Sequence, residues 1–569
     1  MVTVQAPDEV RTLLQKYLDV IRLGSLADEE VDAAEWNRLI NASPQQVRDL
    51  LQTEGYFDPE IELQRQPGPP PDAPEPVVLK VDPGVRAKVH KLTLEVEGEL
   101  ERSASAADPD ALKTLSQWRR DWRLPEGRDF RNPDWSGAKA NALAALRAEG
   151  YATANWLGTA ADVDVANSQV RLFLVADSGP LFRLGRLQVE GLVAHDGETV
   201  NNLLGARPGT PLSESWLLDF QERLLKSGLF EVAAVTLDLD PEQAASATVL
   251  TLVRESPLQA YTLGVGFSVD NGPRASVEHL YRRVFGYAAS ARNKIEIGQK
   301  RQFYDGEIST HPLQGMHRYL LGLVFERQKT DSDTVISQRL RVGRSQDRQS
   351  LERLHFLEVE RSETVTITGA VSNATAVSAN FHGNWRDLDS LILPTRGLSL
   401  ALQLGVGQST SSTGRNGPFV RTFGRLTGYL PLGNDWYGQA HVELGRVFVA
   451  TDVAVPESQK WRAGGDNSVR GYAYRSLGPL QDGVVAGGTA LATAGVEVAR
   501  PISRNLPSLW GAAFVDVGNA ANSLGGLKPV LGYGVGVRWR SPAGPLRLDI
   551  GWGQETKQFR LHFSVGVTF

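Results

Sequence analysis

The chain has 569 residues, of which 41% are hydrophobic, a formal net charge of −6 and no cysteine. The lack of cysteine excludes disulfides, thiol catalysis and cysteine metal sites. No stretch approaches the roughly 18 consecutive apolar residues of a membrane-spanning helix, but β-barrels escape this test because their strands expose only every second side chain to lipid.

Charge divides the chain into two parts. Residues 1–256 carry 26 Lys and Arg against 41 Asp and Glu, whereas residues 257–569 carry 34 against 25. The acidic first part argues against nucleic acid, which needs clustered positive charge. The basic second part suits anionic lipid head groups, or reflects strand ends that are rich in arginine. The start, Met1–Val4, lacks the features of a signal peptide, so we expect that peptide to have been removed if the protein is exported.

The first part repeats one pattern three times, a helix followed by a glycine step and a strand. The steps are at Gly55, Gly150 and Gly228, and each glycine is expected to have positive φ just past a helix end. The Pro-rich segment 67–71 is predicted to be a hairpin loop. Periodicity predicts helices at 8–23, 43–54, 110–121, 135–148 and 213–227, and strands at 60–66, 77–81, 89–96, 170–176, 183–190, 231–239 and 247–254.

The order of these elements predicts three α+β modules, at 1–84, 85–180 and 181–257. The modules resemble the POTRA domains of outer-membrane assembly proteins. Generic α+β domains with coincidental glycine steps are the alternative.

Residues 258–569 are predicted to form a 16-stranded antiparallel transmembrane β-barrel. Strict alternation of apolar and polar residues at 261–269 and 559–569 is the pattern that lipid outside and a wet lumen inside require. The number of candidate strands is even, as a closed barrel of this kind needs. A soluble β-sandwich also alternates, but these strands are long, rich in glycine and end at the aromatic residue Phe569.

Four segments of this second part have unusual local sequences. They are the turn Pro394-Thr395-Arg396-Gly397, the loop Gly464-Gly465 to Val469-Arg470-Gly471-Tyr472, the strand Phe514-Val515-Asp516-Val517-Gly518 and the hairpin 534–549. In this order they resemble the superfamily that includes the BAM-complex barrel subunit, the two-partner secretion transporters and TamA of the translocation and assembly module. Three modules before the barrel resemble the TamA branch most.

In that superfamily the loop folds into the barrel, and its arginine pairs with the aspartate of the F-x-D-x-G strand. The resemblance therefore implies a pair between Arg470 and Asp516, with Glu497 as a second acidic partner. Physical chemistry agrees, because an unpaired charge in a confined lumen is costly and a carboxylate can accept two hydrogen bonds from one guanidinium. The alternative is that Arg470 is a solvated loop residue.

The resemblance implies an assembly or translocation factor in the outer membrane of a Gram-negative bacterium, with its modules in the periplasm. Its partners would be unfolded outer-membrane proteins, including autotransporters, outer-membrane lipids and a TamB-like protein that spans the periplasm. Clients would enter through a lateral seam between the first and last strands by β-augmentation. The seam residues are predicted to be Tyr261, Leu263, Val265, Phe267, Phe563, Val565, Gly566 and Phe569.

Other function classes have less support in the sequence. A secretion pore for one dedicated substrate is the main alternative, and lipid transport or a passive structural barrel are further ones. The sequence has no H-E-x-x-H metal motif, no G-x-S-x-G nucleophile elbow and no P-loop. We therefore predict no enzymatic activity, catalytic residue, metal site or cofactor.

Overall fold

The computed structural model describes residues 2–26, 33–65, 76–269, 272–348, 350–390, 394–433, 435–481, 483–503, 505–541 and 544–568. Three α+β modules precede a 16-stranded antiparallel barrel, which confirms the predicted fold class. The predicted hairpin loop at 67–71 lies outside the described residues. Within these ranges, no helix has the length and apolar character needed to cross a membrane.

In the described part of the first module, a three-stranded sheet packs with three helices. Its strand order is β1-β3-β2, in which β1 is parallel and β2 antiparallel to β3. The predicted helix at 8–23 was wrong, because Leu18 is extended (ψ 121°) and separates two helices. The elements are β1 (Val2–Gln5), α1 (Asp8–Tyr17), α2 (Asp19–Leu26), α3 (Ala33–Thr53), β2 (Glu60–Arg65) and β3 (Val77–Asp82).

The second module repeats this arrangement, with strand order β4-β6-β5. Its core contains the buried side chains of Trp118, Trp122 and Trp135. The carboxylate of Asp108 accepts hydrogen bonds from the backbone N–H groups of Asp110 and Ala111 and so caps the second helix of the module. The elements are β4 (Lys88–Glu97), α4 (Glu99–Ser105), α5 (Pro109–Arg120), α6 (Asn132–Ala148), β5 (Asn155–Asp164) and β6 (Gln169–Asp177).

The third module has two helices and strand order β7-β9-β8. Gly228 follows its second helix with φ +75°, as Gly55 (+88°) and Gly150 (+101°) do in the other modules, so the prediction of positive φ is confirmed. The elements are β7 (Leu184–Glu190), α7 (Gly197–Leu203), α8 (Glu214–Lys226), β8 (Phe230–Leu237) and β9 (Ala247–Glu255).

The chain divides into two compact units, and the second contains 191–205, 223–233 and 253–569. Within this second unit, Arg282 donates hydrogen bonds to the carbonyl oxygens of Gly228 and Pro257, both at 2.6 Å. The imidazoles of His195 and His311 meet edge to face with their centroids 5.2 Å apart. Both rings are buried, and burial lowers the pKa of each below the ordinary value of 6.5.

The barrel strands follow one another around a closed sheet, and the last strand pairs with the first. A short hairpin belongs to the long loop that connects β20 to β23, and its two strands, β21 and β22, have two residues each. The strands are β10 (Gln259–Ser268), β11 (Gly272–Tyr281), β12 (Ala289–Gly298), β13 (Arg301–Thr310), β14 (His317–Lys329), β15 (Asp333–Arg348), β16 (Leu351–Thr366), β17 (Val371–Leu388), β18 (Gly397–Ser411), β19 (Gly417–Gly433), β20 (Trp436–Val449), β21 (Leu480–Gln481), β22 (Val484–Val485), β23 (Ala490–Ser503), β24 (Leu506–Ala521), β25 (Val530–Ser541), β26 (Gly544–Gly553) and β27 (Gln558–Thr568).

Side chains on the outside of the barrel form an apolar band between two groups of aromatic residues. We call the end where β10 begins the proximal end and the opposite end the distal end. Large aromatic side chains are exposed at both ends, as lipid interfaces favour. At the proximal end they are Tyr261, Tyr319, Trp385, Trp436 and Trp539, and at the distal end Phe448, Tyr533 and Phe559.

Candidate functional site

The loop between β20 and β23, residues 450–489, folds into the barrel. Its side chains Trp461, Ala463, Val469 and Tyr472 are buried in one apolar cluster with residues of the barrel wall. The wall residues of this cluster are Ala376, Phe419, Val447, Leu491 and Ala520. These apolar contacts hold the loop against the wall on both sides of Arg470.

Arg470 is at the tip of this loop and contacts three carboxylates of the wall. Its Nε lies 2.7 Å from Oδ2 of Asp516 and its Nη2 lies 3.0 Å from Oδ1, so the aspartate on β24 is bound by two side-chain hydrogen bonds. Nη1 lies 2.7 Å from Glu497 on β23 and 3.3 Å from Asp549 on β26. The structure therefore brings together Arg470, Asp516 and Glu497, and adds an aspartate that the sequence analysis did not assign.

Arg538 on β25 completes the network from the wall side. It donates hydrogen bonds of 2.8 and 3.1 Å to Glu497 and of 2.5 and 3.0 Å to Asp549. Three carboxylates thus face two guanidinium groups in a nearly dry region, since Asp516 has no exposed surface. Charge-assisted bonds of this kind fix geometry as well as energy.

The face of the Phe514 ring supports the arginine from below. The guanidinium carbon of Arg470 lies 3.5 Å from the ring centroid, a cation–π contact that strengthens when it is removed from water. Phe514 and Asp516 are two residues apart on one strand, so their side chains share its lumen face. This explains why an aromatic residue and an aspartate occur at that spacing in the strand motif.

Glycines let the loop tip lie directly on the wall. A Cβ atom at Gly532 would come within 1.9 Å of the carbonyl oxygen of Arg470. Gly518 serves contact within the wall instead, since a Cβ atom there would lie 2.6 Å from the carbonyl oxygen of Ala492 on the neighbouring strand β23. Gly464, Gly465 and Gly471 all have φ between +94° and +105°, which favours glycine.

Tyr472 follows the last of these glycines, and its hydroxyl both donates and accepts a hydrogen bond. That hydroxyl donates to the carbonyl oxygen of Leu531 at 3.0 Å and accepts from the backbone N–H of Glu555 at 3.1 Å. The aromatic residue of the loop motif therefore ties the tip to the turn between β26 and β27.

A second ionic cluster holds the other side of the loop. Arg462 contacts both oxygens of Asp333 on β15 and lies 2.7 Å from Glu457 in the loop. The side chain of Arg462 is 1% exposed and that of Asp333 is 4% exposed. Sequence reasoning missed this pair, because nothing in the local sequence of Asp333 indicates a partner more than a hundred residues away.

The seam between the first and last strands is short. The ladder pairs Gly264–Ser268 with Ser564–Thr568, five residues of each strand, whereas β15 and β16 pair over sixteen. This is the shortest ladder of the barrel within the described ranges. Phe267 contacts Phe563 at 6.0 Å between ring centroids.

The other predicted seam residues are placed as follows. Tyr261, Leu263 and Val265 are exposed on the outside of β10, and Val565 and Gly566 pair with Phe267 and Gly266. Phe569 lies outside the described residues.

The turn between β17 and β18 is ordered by hydrogen bonds at its two ends. The carboxylate of Asp389 accepts a hydrogen bond of 2.5 Å from the hydroxyl of Thr395. It also accepts hydrogen bonds of 2.9 and 3.1 Å from the backbone N–H groups of Thr395 and Arg396. These bonds lower the pKa of Asp389 to about 2. This motif therefore has a structural explanation that needs no ligand.

Comparison with known proteins agrees with this architecture. The Omp85 superfamily domain matches residues 259–569, and the chain therefore belongs to the Omp85 superfamily of outer-membrane barrels. The fold is similar to that of BamA from Haemophilus ducreyi lacking POTRA domains 1–3, with a TM-score of 0.65, 15% sequence identity, and coverage of 85% of this chain and 100% of that chain.

Two structures of CdiB also match over most of their length. CdiB from Acinetobacter baumannii has a TM-score of 0.48 and 14% identity, with coverage of 85% of this chain and 91% of that chain. CdiB from Escherichia coli has a TM-score of 0.48 and 11% identity, with coverage of 95% of this chain and 100% of that chain.

Among the described residues, no group of three His, Asp or Glu side chains is arranged to hold a metal ion.

Proposed function

We propose that this protein is an outer-membrane assembly or translocation factor of the TamA type, which inserts or secretes other polypeptides at its lateral seam. The observation that carries this proposal is the five-residue ladder between β10 and β27. Strand pairing is stabilised by cross-strand contacts, so a ladder of this length opens at lower cost than the neighbouring ones. The proposal needs no enzymatic step, because folding of the client supplies the free energy.

Opening of the seam would free an edge of the first strand for a client. Residues 264–268 of β10 pair with β11 on one side and with β27 on the other, so separation of β27 exposes the second side. An edge of this kind presents backbone N–H and C=O groups that an extended segment can bind by β-augmentation. The exposed side chains of Tyr261 and Leu263 would contact lipid beside the added strand.

The three modules would act in the periplasm on the same pathway. We propose POTRA domains at 1–84, 85–180 and 181–257 and the barrel at 258–569. Each module has an open three-stranded sheet, whose edges could bind clients or a TamB-like protein by strand addition. The excess of Asp and Glu over Lys and Arg in this part of the chain would suit basic segments of such partners.

The inward loop distinguishes this proposal from a dedicated secretion pore. A pore conducts through the lumen, so its loop would have to leave, and removing Arg470 from three carboxylates is costly. Seam opening leaves that network in place. Lipid transport remains a second use of the same seam, since lipid and client strands would pass the same edge.

A reversible lock on the seam tests the proposal. The chain has no cysteine, so Val265→Cys with Val567→Cys, which pair across the seam, would form a disulfide without background. We expect the oxidised protein to fail in assembling a co-expressed outer-membrane barrel in cells, and reductant to restore assembly. Heat-modifiable mobility of the client on gels measures its folding.

A second cysteine pair is the matched control. Leu340→Cys with Val359→Cys lies between β15 and β16, where both native side chains are exposed on the outside of the barrel. Locking that ladder should leave client assembly unchanged. Assembly at the normal rate by seam-locked protein would contradict lateral insertion and favour the lumen pore, which conductance measurements would then detect.

A further inference from the structure

One contact joins the inward loop to the strand that closes the barrel. His562 is on β27, is 2% exposed and reaches two positions of the loop tip. The backbone N–H of Gly471 donates to its Nε2 at 2.8 Å, and its Nδ1 lies 2.5 Å from Oδ1 of Asp466. This histidine was not singled out by its sequence context.

The two contacts define the state of the ring. Because Nε2 accepts a hydrogen bond, it carries a lone pair, and the proton of the neutral ring must be on Nδ1. That proton is then donated to the carboxylate of Asp466. Both nitrogens of His562 are therefore used by the loop, one by its backbone and one by a side chain.

His562 lies on β27 directly beside the residues that pair with β10. Phe563, the next residue, accepts a hydrogen bond from the backbone N–H of Val269 at 3.1 Å, and the ladder with β10 begins at Ser564. On its other side His562 is paired with Asp549, which belongs to the Arg470 network. The loop thus holds the last strand at the point where the seam begins.

Close packing makes this contact sensitive to position. A Cβ atom at Gly471 would lie 2.7 Å from the backbone N of Gly553, and one at Gly551 would lie 2.7 Å from the backbone N of Gly471. The tip therefore packs backbone to backbone on β26, and a side chain at Gly471 or Gly551 would force the two apart.

We propose that His562 is a positioning residue that couples the docked state of the loop to the closed state of the seam. The inference rests on the proposed function, because it describes how the same seam is controlled. A coupling of this kind is reciprocal: a docked loop favours the closed seam, and a closed seam favours the docked loop by the same factor. A client that displaces β27 would break the contacts of His562 with Gly471 and Asp466 and so weaken docking of the loop tip, while the contacts of Arg470 with β23, β24 and β26 would stay. Displacement of the tip would in turn loosen β27.

The test uses the full chain in lipid nanodiscs and measures hydrogen exchange of the peptides that cover 464–476 and 558–568. Asp466→Ala should accelerate exchange in β27 about five-fold, the factor that one net hydrogen bond supplies. His562→Ala should accelerate it further, because it removes two hydrogen bonds. Asp466→Asn should stay close to the native rate, because its amide oxygen still accepts the Nδ1 proton. His382→Ala is the control, since His382 is on the lumen side of β17, where it packs on Phe356, and should leave both peptides unchanged.

The reciprocal effect separates coupling from a local structural role. In the Val265→Cys/Val567→Cys background, oxidation of the seam should slow exchange of the loop peptide, and His562→Ala should abolish this slowing. Loop exchange that ignores the seam disulfide, or β27 exchange that ignores Asp466→Ala, would overturn the proposal. If His562→Ala does not fold, the Asp466 variants give the same decision. Coupling that persists while a locked seam still assembles clients would contradict the proposed function and leave this inference standing.

Discussion

Replacement of Arg470 by alanine is the sharpest test of the loop network. The substitution removes both side-chain hydrogen bonds to Asp516 and leaves that buried carboxylate with the backbone N–H of residue 470 alone. Glu497 and Asp549 keep Arg538, so three carboxylates then face one guanidinium group. Breaking a buried pair by removing one partner costs about 3–5 kcal/mol, and we expect a loss of that size in the free energy of unfolding.

Two further variants show how much of this loss in the free energy of unfolding depends on the geometry of the guanidinium group and how much on the residue that carries it. Arg470→Lys keeps the charge but cannot form the two parallel bonds to Asp516, so it should recover only part of the loss. Arg538→Ala should be milder than Arg470→Ala, because Arg470 stays in contact with all three carboxylates. Urea unfolding in lipid vesicles, monitored by heat-modifiable mobility on gels, measures each variant.

A double-mutant cycle of Arg470→Ala with Asp516→Ala isolates the pair itself. The coupling energy should reach about 2 kcal/mol or more, since Arg470→Ala leaves the buried Asp516 carboxylate without a guanidinium partner whereas the double variant removes both charges. A coupling energy below about 0.5 kcal/mol, the usual limit for independent sites, would refute the reasoning and show that Arg470 is a solvated loop residue.

Three other predictions concern other parts of the chain. Arg462→Ala should cost roughly 3 kcal/mol, because it leaves Asp333 buried without a guanidinium partner, and an unchanged unfolding midpoint would contradict this. Since burial holds the pKa of His195 and His311 below 6.5, their neutral forms stabilise the fold fully above pH 6.5 and this stability declines as the pH falls below it. Protection factors in the 191–205 segment, obtained by correcting exchange rates for their intrinsic pH dependence, should therefore fall from pH 7.5 to 5.5, and pH-independent protection factors would show that the two rings do not control the stability of this segment. Residues 1–180 expressed alone should be soluble with mixed α+β circular dichroism, and a detergent-dependent fragment would contradict the separate cores.

Local sequence was sufficient for much of the fold. Alternation predicted the barrel strands, and the glycine steps predicted where helices end, because both signals depend on near neighbours. The break at Leu18 was not predictable in this way: no glycine or proline marks it, and the N–H of Leu18 still bonds to the carbonyl of Leu14. The edge strand Asn155–Asp164 was missed for the related reason that its polar residues show no clean alternation.

The functional site was predictable only in part. The resemblance of the loop and strand motifs implied that Arg470 and Asp516 lie together, and the structure places them in contact. Asp549 and Arg538 were in a quoted segment, but their role depends on strand register, which places Asp549 opposite Gly536. The partnership of Arg462 with Asp333 and the length of the seam ladder depend on how the sheet closes, and no local pattern encodes that closure.

The position of the loop partners also constrains the order of events during folding. Arg470 precedes in the chain every carboxylate that it contacts, and the contact of Gly471 with His562 reaches 91 residues forward. Docking of the tip is therefore completed only when the last strand has joined the sheet, however early the preceding strands form. The barrel is completed by its own final strand, which both closes the sheet and supplies the last contact of the loop. Loss of that strand would leave the sheet open and the loop incompletely docked at the same time. A truncation that removes β27 should therefore abolish barrel closure and complete docking of the loop together.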